Sequence, residues 1–366
     1  MATSSGIRTQ RLKQRRSLPR EQPNALFQLT YEGVAPTFIG APLSCGSNTA
    51  ILGRVSLGGR AWLGDRAVIR ADGHEVRIGD DLHLGPRSTI HIAHETLPTI
   101  LGDRVAIGEN AVVHACTVGS DCAIEDGAVI LDGSVIAENV VIDKNSIVFP
   151  RSELLPGFLY AGMPAQPIRE LKPGELRNLM IDIRSRRVVP SPGSGVFNDA
   201  RRSPLAFVAH TAFLQGEIAI QDKASVWFGC DLRARDGEIV IAATANVQDN
   251  SDIVCTQGTV RIGDGTTIGH NARLYDCTVG ARTLIGIGSD VAPGTVIEDD
   301  VILAAGAHTE PHQRLDSGWI WGGIPARPLA KLTDAKKTMI GWIAQTYCHY
   351  AQEYARTQFM NLQYKG

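Results

Sequence analysis

The sequence predicts a mainly β protein: two tandem parallel β-helix domains of hexapeptide repeats, each followed by an α-helix. Three observations predict it: an aliphatic residue every six positions, a second copy of that pattern 161 residues further on, and much glycine with few aromatic residues. Glycine supplies 38 of 366 residues, roughly a tenth against a usual value of about 7%. Aromatic residues make up 6%. Such a chain turns tightly and often and does not build a large aromatic core.

The period starts at Leu101 and runs through Ile107 and Val113. One five-residue step leads to Val118, and steps of six then give Ile124, Ile130, Ile136, Ile142 and Val148. Adding 161 gives Ile262, Ile268, Leu274, Val279, Ile285, Val291, Ile297 and Leu303, with Thr309 as the one miss. The five-residue step recurs at the same place. Cys116 matches Cys277, and Gly162-Met163-Pro164-Ala165 matches Gly323-Ile324-Pro325-Ala326 at the same offset, so the chain is a tandem duplication. A six-residue apolar period suits neither an α-helix nor a flat strand. It suits a β-helix coil in which each hexapeptide forms one short strand and one turn, with one aliphatic residue pointing inward and a glycine often at the corner.

Each prism needs an end cap. Leu176, Leu179, Met180 and Ile183 share one helical face after Pro173. Thr333 and Asp334 are N-cap residues for a second helix, along which Ile340, Ile343, Tyr347, Tyr350 and Tyr354 form a stripe. Residues 189–204, with the run Val189-Pro190-Ser191-Pro192-Gly193-Ser194-Gly195, read as a linker between a first domain (23–188) and a second (205–366). Residues 1–22 carry six basic residues and no acid before Glu21, and read as a disordered tail; as an organelle transit peptide they have poor amphipathicity.

With 36 basic and 38 acidic residues the formal charge is −2. No global positive field draws in nucleic acid or an anionic membrane, and no run of 18 apolar residues crosses a bilayer. Seven cysteines without a C-x-x-C pair read as reduced thiols in a cytoplasmic protein.

Chemistry must come from polar residues at fixed places on the coils. In the first half these are Arg70-Ala71-Asp72, His91-Ile92-Ala93-His94, Glu109, and Val113-His114-Ala115-Cys116. In the second they are Arg233-Ala234-Arg235, Gln248-Asp249, Ile268-Gly269-His270, and Leu274-Tyr275-Asp276-Cys277. Over about residues 50–170 and again 205–330 the chain resembles the gamma-class carbonic anhydrases and related hexapeptide-repeat proteins. These show R-x-D, then Q-D-x-x-x-x-H, then I-G-H-x-x-x-x-H-G-C, and finally G-x-P-A. The resemblance implies a left-handed β-helix and three histidines that bind zinc at a subunit interface, the first and third from one subunit and the middle one from its neighbour.

Neither half keeps the whole set. By this resemblance His91 and His114 stand at the first and third zinc positions of the first half, and Glu109 takes the middle one. In the second half His270 stands at the middle position, while Val254 and Tyr275 replace the other two. If the halves face each other as neighbouring subunits do, His91, His114 and His270 complete one site. It would hold Zn2+ or another divalent transition metal, with an open fourth position for water. Zinc lowers the pKa of bound water to about 7, so hydroxide could attack CO2 or another small electrophilic carbon. His94 is the candidate to accept the released proton, Gln248 to orient the bound hydroxide, and Arg70 with Asp72 to lock the interface.

Alternatively, like halves associate in threefold rings, and His91, His114 and Glu109 form a His2Glu zinc set. Either geometry expects a homo-oligomer with an interface site and a small-molecule substrate. Two other functions compete: an acyl-CoA-dependent acyltransferase with His91 or His114 as general base, and a noncatalytic assembly subunit. His74, His83, His210, His308, His312 and His349 read as solvated or corner residues. Cys116 and Cys277 read as packed core thiols.

Overall fold

A computed structural model describes residues 26–40, 43–186 and 200–363, with side chains to residue 358. The basic tail and the run Val189–Gly195 lie outside the described residues. The chain forms two parallel β-helices of very short strands, such as Ala106–Ile107, Val112–His114 and Thr117–Val118. Coils stack in register, so that Leu101 pairs with Val118, Val118 with Ile136, and Ile136 with Leu154. The six-residue period maps directly onto this. All nine ladder residues of the first half are buried in one core, and the eight aliphatic ladder residues of the second half lie in another.

Corners explain much of the glycine and asparagine. A Cβ on Gly108 would stand 2.7 Å from the backbone nitrogen of Asp126 on the next coil, so only glycine lets the coils approach there. Asn110 and Asn271 turn corners at φ 56° and 55°, where their short polar side chains tolerate the left-handed conformation.

Two helices cover the prisms. Helix α1 (Glu175–Ser185) lays Leu176, Leu179, Met180 and Ile183 over Ala106, Ala123 and Val141 of the first prism. Helix α2 (Asp334–Gln363) starts where Thr333 Oγ1 accepts the Lys336 N–H at 3.4 Å. It does more than cap its own prism. Tyr347, Tyr350 and Tyr354 share a core with the second prism and with Tyr31, Leu52 and Val68 of the first half, so α2 roofs the seam between the halves.

The seam is built from one ladder of the first prism. Val68, Thr89, Val112, Val129 and Ile147 follow one another in register, and all are buried. Ile287 of the second prism packs against Val112, Val129 and Ile147. Close approach here needs glycine on the second prism: a Cβ on Gly306 would lie 2.7 Å from Ile147 Cδ1, and one on Gly288 3.1 Å from Val129 Cγ2. Asn271 Nδ2 donates to Asn110 Oδ1 at 2.9 Å, so two residues 161 apart in sequence meet across the seam.

Candidate metal centre at the seam

The short strands Thr89–His91 and Val112–His114 pair in parallel, placing His114 directly above His91 on one face of the first prism. Coil stacking thus turns a 23-residue separation into adjacency. His270 follows the strand Thr267–Ile268 of the second prism, at a corner that faces this pair across the seam. Potential ligand atoms of the three imidazoles all lie within 4.8 Å of one another. Ring centroids are 5.2 Å apart for His91–His114, 4.8 Å for His91–His270 and 5.6 Å for His114–His270.

Each imidazole is backed by a carboxylate. His91 Nε2 lies 3.1 Å from Asp72 Oδ2, and His114 Nδ1 lies 2.6 Å from Asp132 Oδ1. His270 Nδ1 is 3.2 Å from Asp249 Oδ2 but off the line of a good hydrogen bond, and it is a buried nitrogen with no well-aligned partner. A carboxylate accepts a hydrogen bond from the outer N–H, which fixes the tautomer in which the inner nitrogen is a bare lone pair. The inner nitrogens of His91 and His114 face each other at 3.2 Å. Two lone pairs at that distance repel unless a cation sits between them.

Burial keeps two of the imidazoles, His91 and His270, neutral. Burial holds His91 well below its ordinary pKa, with Arg70 as the next cause. Burial also pushes His270 down to about 4, against the pull of Asp249. Arg70 is fully buried and joins the halves: Nε donates to Asp249 Oδ2 at 3.0 Å, Nη1 pairs with Asp72, and Nη2 donates to Tyr347 Oη at 3.0 Å. Its guanidinium lies 4.4 Å from the centroid of the Trp227 ring. One buried cation thus serves two buried carboxylates, an excess of negative charge that suits a further cation. Asp72 is raised to about 6 by burial, against the field of Arg70.

Three α2 phenols complete the site. Tyr354 Oη donates to Asp72, and Tyr350 Oη donates to the Asp72 carbonyl at 3.2 Å. Tyr347 Oη stands 3.5 Å from His270 Nε2. The half-buried His94 lies on a one-turn 3-10 segment with Nδ1 2.5 Å from Tyr350 Oη. Gln248 is buried, and its amide donates to Asn246 Oδ1 at 3.3 Å. Glu109 is exposed and stands outside the convergent group of three histidines. Val254 and Tyr275 pair with each other on the second prism.

Sequence reasoning missed Asp132 and the roles of the α2 tyrosines. Asp132 lies 18 residues after His114, one coil on, so coil length was a usable signal. The tyrosine stripe was legible as a packing face, but nothing in its spacing shows that it reaches the first half.

Comparison with known proteins agrees with this architecture. The family described as "Hexapeptide repeat of succinyl-transferase" matches residues 75–115, 98–131 and 276–307. Gamma carbonic anhydrase 1, mitochondrial, of Arabidopsis thaliana is 39% identical over 157 residues, which are 41% of this chain and 57% of that protein. Protein YrdA of Escherichia coli (strain K12) is 31% identical over 147 residues, 38% of this chain and 80% of that protein. The crystal structure of a hexapeptide transferase family protein from Anaplasma phagocytophilum is 31% identical, with a TM-score of 0.41, over 42% of this chain and 92% of that one. The chain spans about three-fifths of the length of the Arabidopsis gamma carbonic anhydrases it matches. By these matches and by its fold, the chain belongs to the gamma carbonic anhydrase-like family of hexapeptide-repeat proteins.

Proposed function

We propose that His91, His114 and His270 hold one divalent transition metal, Zn2+ by preference, and that the chain is a lyase of the carbonic anhydrase type acting on CO2 or a similarly small electrophilic carbon. The observation that carries this reading is the convergence of three imidazoles from two halves, each with a carboxylate behind it. A zinc ion in such a set, with a fourth position left open, lowers the pKa of a bound water to about 7 and supplies a nucleophile at neutral pH. The relatives named as gamma carbonic anhydrases support the reaction class.

The chain's own residues have separable tasks. Asp72, Asp132 and Asp249 fix the orientation of the imidazoles. Arg70 holds the two prisms in register through its pairs with Asp72 and Asp249. Gln248 would orient the attacking water. His94, in contact with Tyr350, carries the released proton between the buried site and water. The three histidines converge within one chain, so that of the domain and subunit interfaces anticipated for the site the seam between tandem halves is the one favoured. Seven free thiols suit a reducing compartment such as the cytoplasm, although the Arabidopsis relatives are named mitochondrial. No described helix is long and apolar enough to cross a membrane.

Metal analysis tests the assignment. Wild type and Glu109→Ala should each carry about one zinc per chain, and His270→Ala should lose it. Retention by His270→Ala with loss in Glu109→Ala would replace the mixed site with the His2Glu set. A wild type without zinc that binds acetyl-CoA would move the chain to the acyltransferases.

A further inference from the structure

His94 is held by elements of both halves. It lies half-buried on the 3-10 turn His94–Thr96, with a backbone φ of 27°. A non-glycine residue in that region is strained, and it persists because its surroundings fix it. Behind it stands Gly73, at φ 84°, where a Cβ would lie 3.2 Å from His94 Nδ1. The imidazole therefore sits against bare backbone. From the second half, helix α2 brings the Tyr350 ring to 5.3 Å between centroids and the Trp342 ring to 5.5 Å. Tyr350 is 1% exposed and Trp342 51%, so His94 stands at the border between the buried cluster and water.

One hydroxyl decides the tautomer. Tyr350 Oη lies 2.5 Å from His94 Nδ1 and 3.2 Å from the carbonyl oxygen of Asp72. Burial, with Asp72 as the next cause, holds the phenol well above its ordinary pKa, so it keeps its proton. A phenol has one proton to donate and lone pairs to accept with. If Oη–H donated to Nδ1, its lone pairs would face the Asp72 carbonyl. If Oη–H donates to the carbonyl and Nδ1–H donates to Oη, both contacts are satisfied. That arrangement leaves Nε2 without a proton. The Asp72 carboxylate does not depend on Tyr350, because it has Arg70, His91 and Tyr354 as partners.

We infer that Tyr350 is a positioning residue for His94: it holds the imidazole at the edge of the buried cluster as the Nδ1–H tautomer, with Nε2 as the atom that takes up and releases the proton. In each transfer Nε2 gains a proton and the imidazolium forms. The same proton then leaves Nε2 for a base in solvent, while Nδ1–H stays on Tyr350 Oη. The first half supplies the carrier and the second half its holder, the same division as among the three histidines. The use of this tautomer in catalysis rests on the proposed lyase activity; the tautomer itself does not.

Long-range proton–nitrogen NMR of the full chain, with isotope-labelled histidine and without metal, tests the tautomer at about pH 8, where ordinary imidazoles are neutral. The His94 signals are those missing from His94→Gln. Wild type should show a protonated Nδ1 and a bare Nε2. Tyr350→Phe, which keeps the ring, should lose that preference. A bare Nδ1 in wild type, or an unchanged spectrum in Tyr350→Phe, overturns the inference, and the wild-type spectrum decides even if the variant does not fold. In zinc-loaded protein and a poorly proton-accepting buffer, kcat for CO2 hydration should fall about 10–100-fold in His94→Ala and Tyr350→Phe alike. The ratio kcat/KM and the zinc content should hold, and added imidazole should restore kcat. An equal fall of kcat and kcat/KM in Tyr350→Phe would place the tyrosine in the CO2 step and overturn the positioning role. A wild type inactive toward CO2 but with Nδ1 protonated overturns the lyase reading and upholds the positioning of His94.

Discussion

His114 shows how a single side chain is prepared for its task. Strand pairing sets it above His91, and Asp132 on the following coil turns its outer nitrogen away from the cluster. Without that acceptor the imidazole can present either tautomer or rotate. Asp132→Asn should therefore weaken metal affinity about 10–100-fold, measured by competition with a chelator, while the zinc content at saturation stays at one. Loss of folded protein, read by circular dichroism, would assign Asp132 to the fold instead. At this scale much was legible. The three histidines stood out because they fell on matching places of two eroded copies. Asp132 did not, because a carboxylate at a coil surface resembles any solvated acid until its neighbour is known.

Among elements, the inner ladder decides stability, and its one irregular position is informative. Thr309 stands where the period calls for an aliphatic residue. It is buried, and its Oγ1 accepts the Ala292 N–H at 2.9 Å and lies 3.0 Å from Thr295 Oγ1. Thr309→Val, which perfects the repeat, should lower stability by about 1–3 kcal/mol, because it leaves a buried N–H without an acceptor. Urea unfolding measures this; a stabilised variant would show the hydroxyl to be dispensable. The ladder and both helices were legible because a fixed step and a helical stripe are local patterns. The path of α2 across the seam was not, because it depends on how two prisms that are distant in sequence come together.

The whole molecule responds to acid through that seam. His91 and His270 are held neutral by burial, with His270 pushed down to about 4. Unfolded imidazoles take up protons below about 6.5, and the folded ones do not until the pH is far lower. Their contribution to stability is therefore complete above pH 6.5 and is lost as the pH falls towards 4. At pH 5, His270 alone costs the metal-free protein about 2 kcal/mol. Asp72, raised to about 6, works in the opposite direction and offsets about 1 kcal/mol, and His91 adds to the loss. Denaturation of metal-free protein at pH 7 and pH 5 should show the decline, and His270→Gln should reduce it. An unchanged midpoint in wild type would mean that the imidazoles are accessible to water.

Two partners encoded in one reading frame can also drift apart. Where identical subunits meet, any substitution alters every contact at once, on both sides. Here Glu109 and His270, descended from one ancestral position, answer to separate codons. Each prism was thus free to discard whatever its companion supplied, which accounts for two halves that each lack part of the histidine set and assemble three histidines only as a pair.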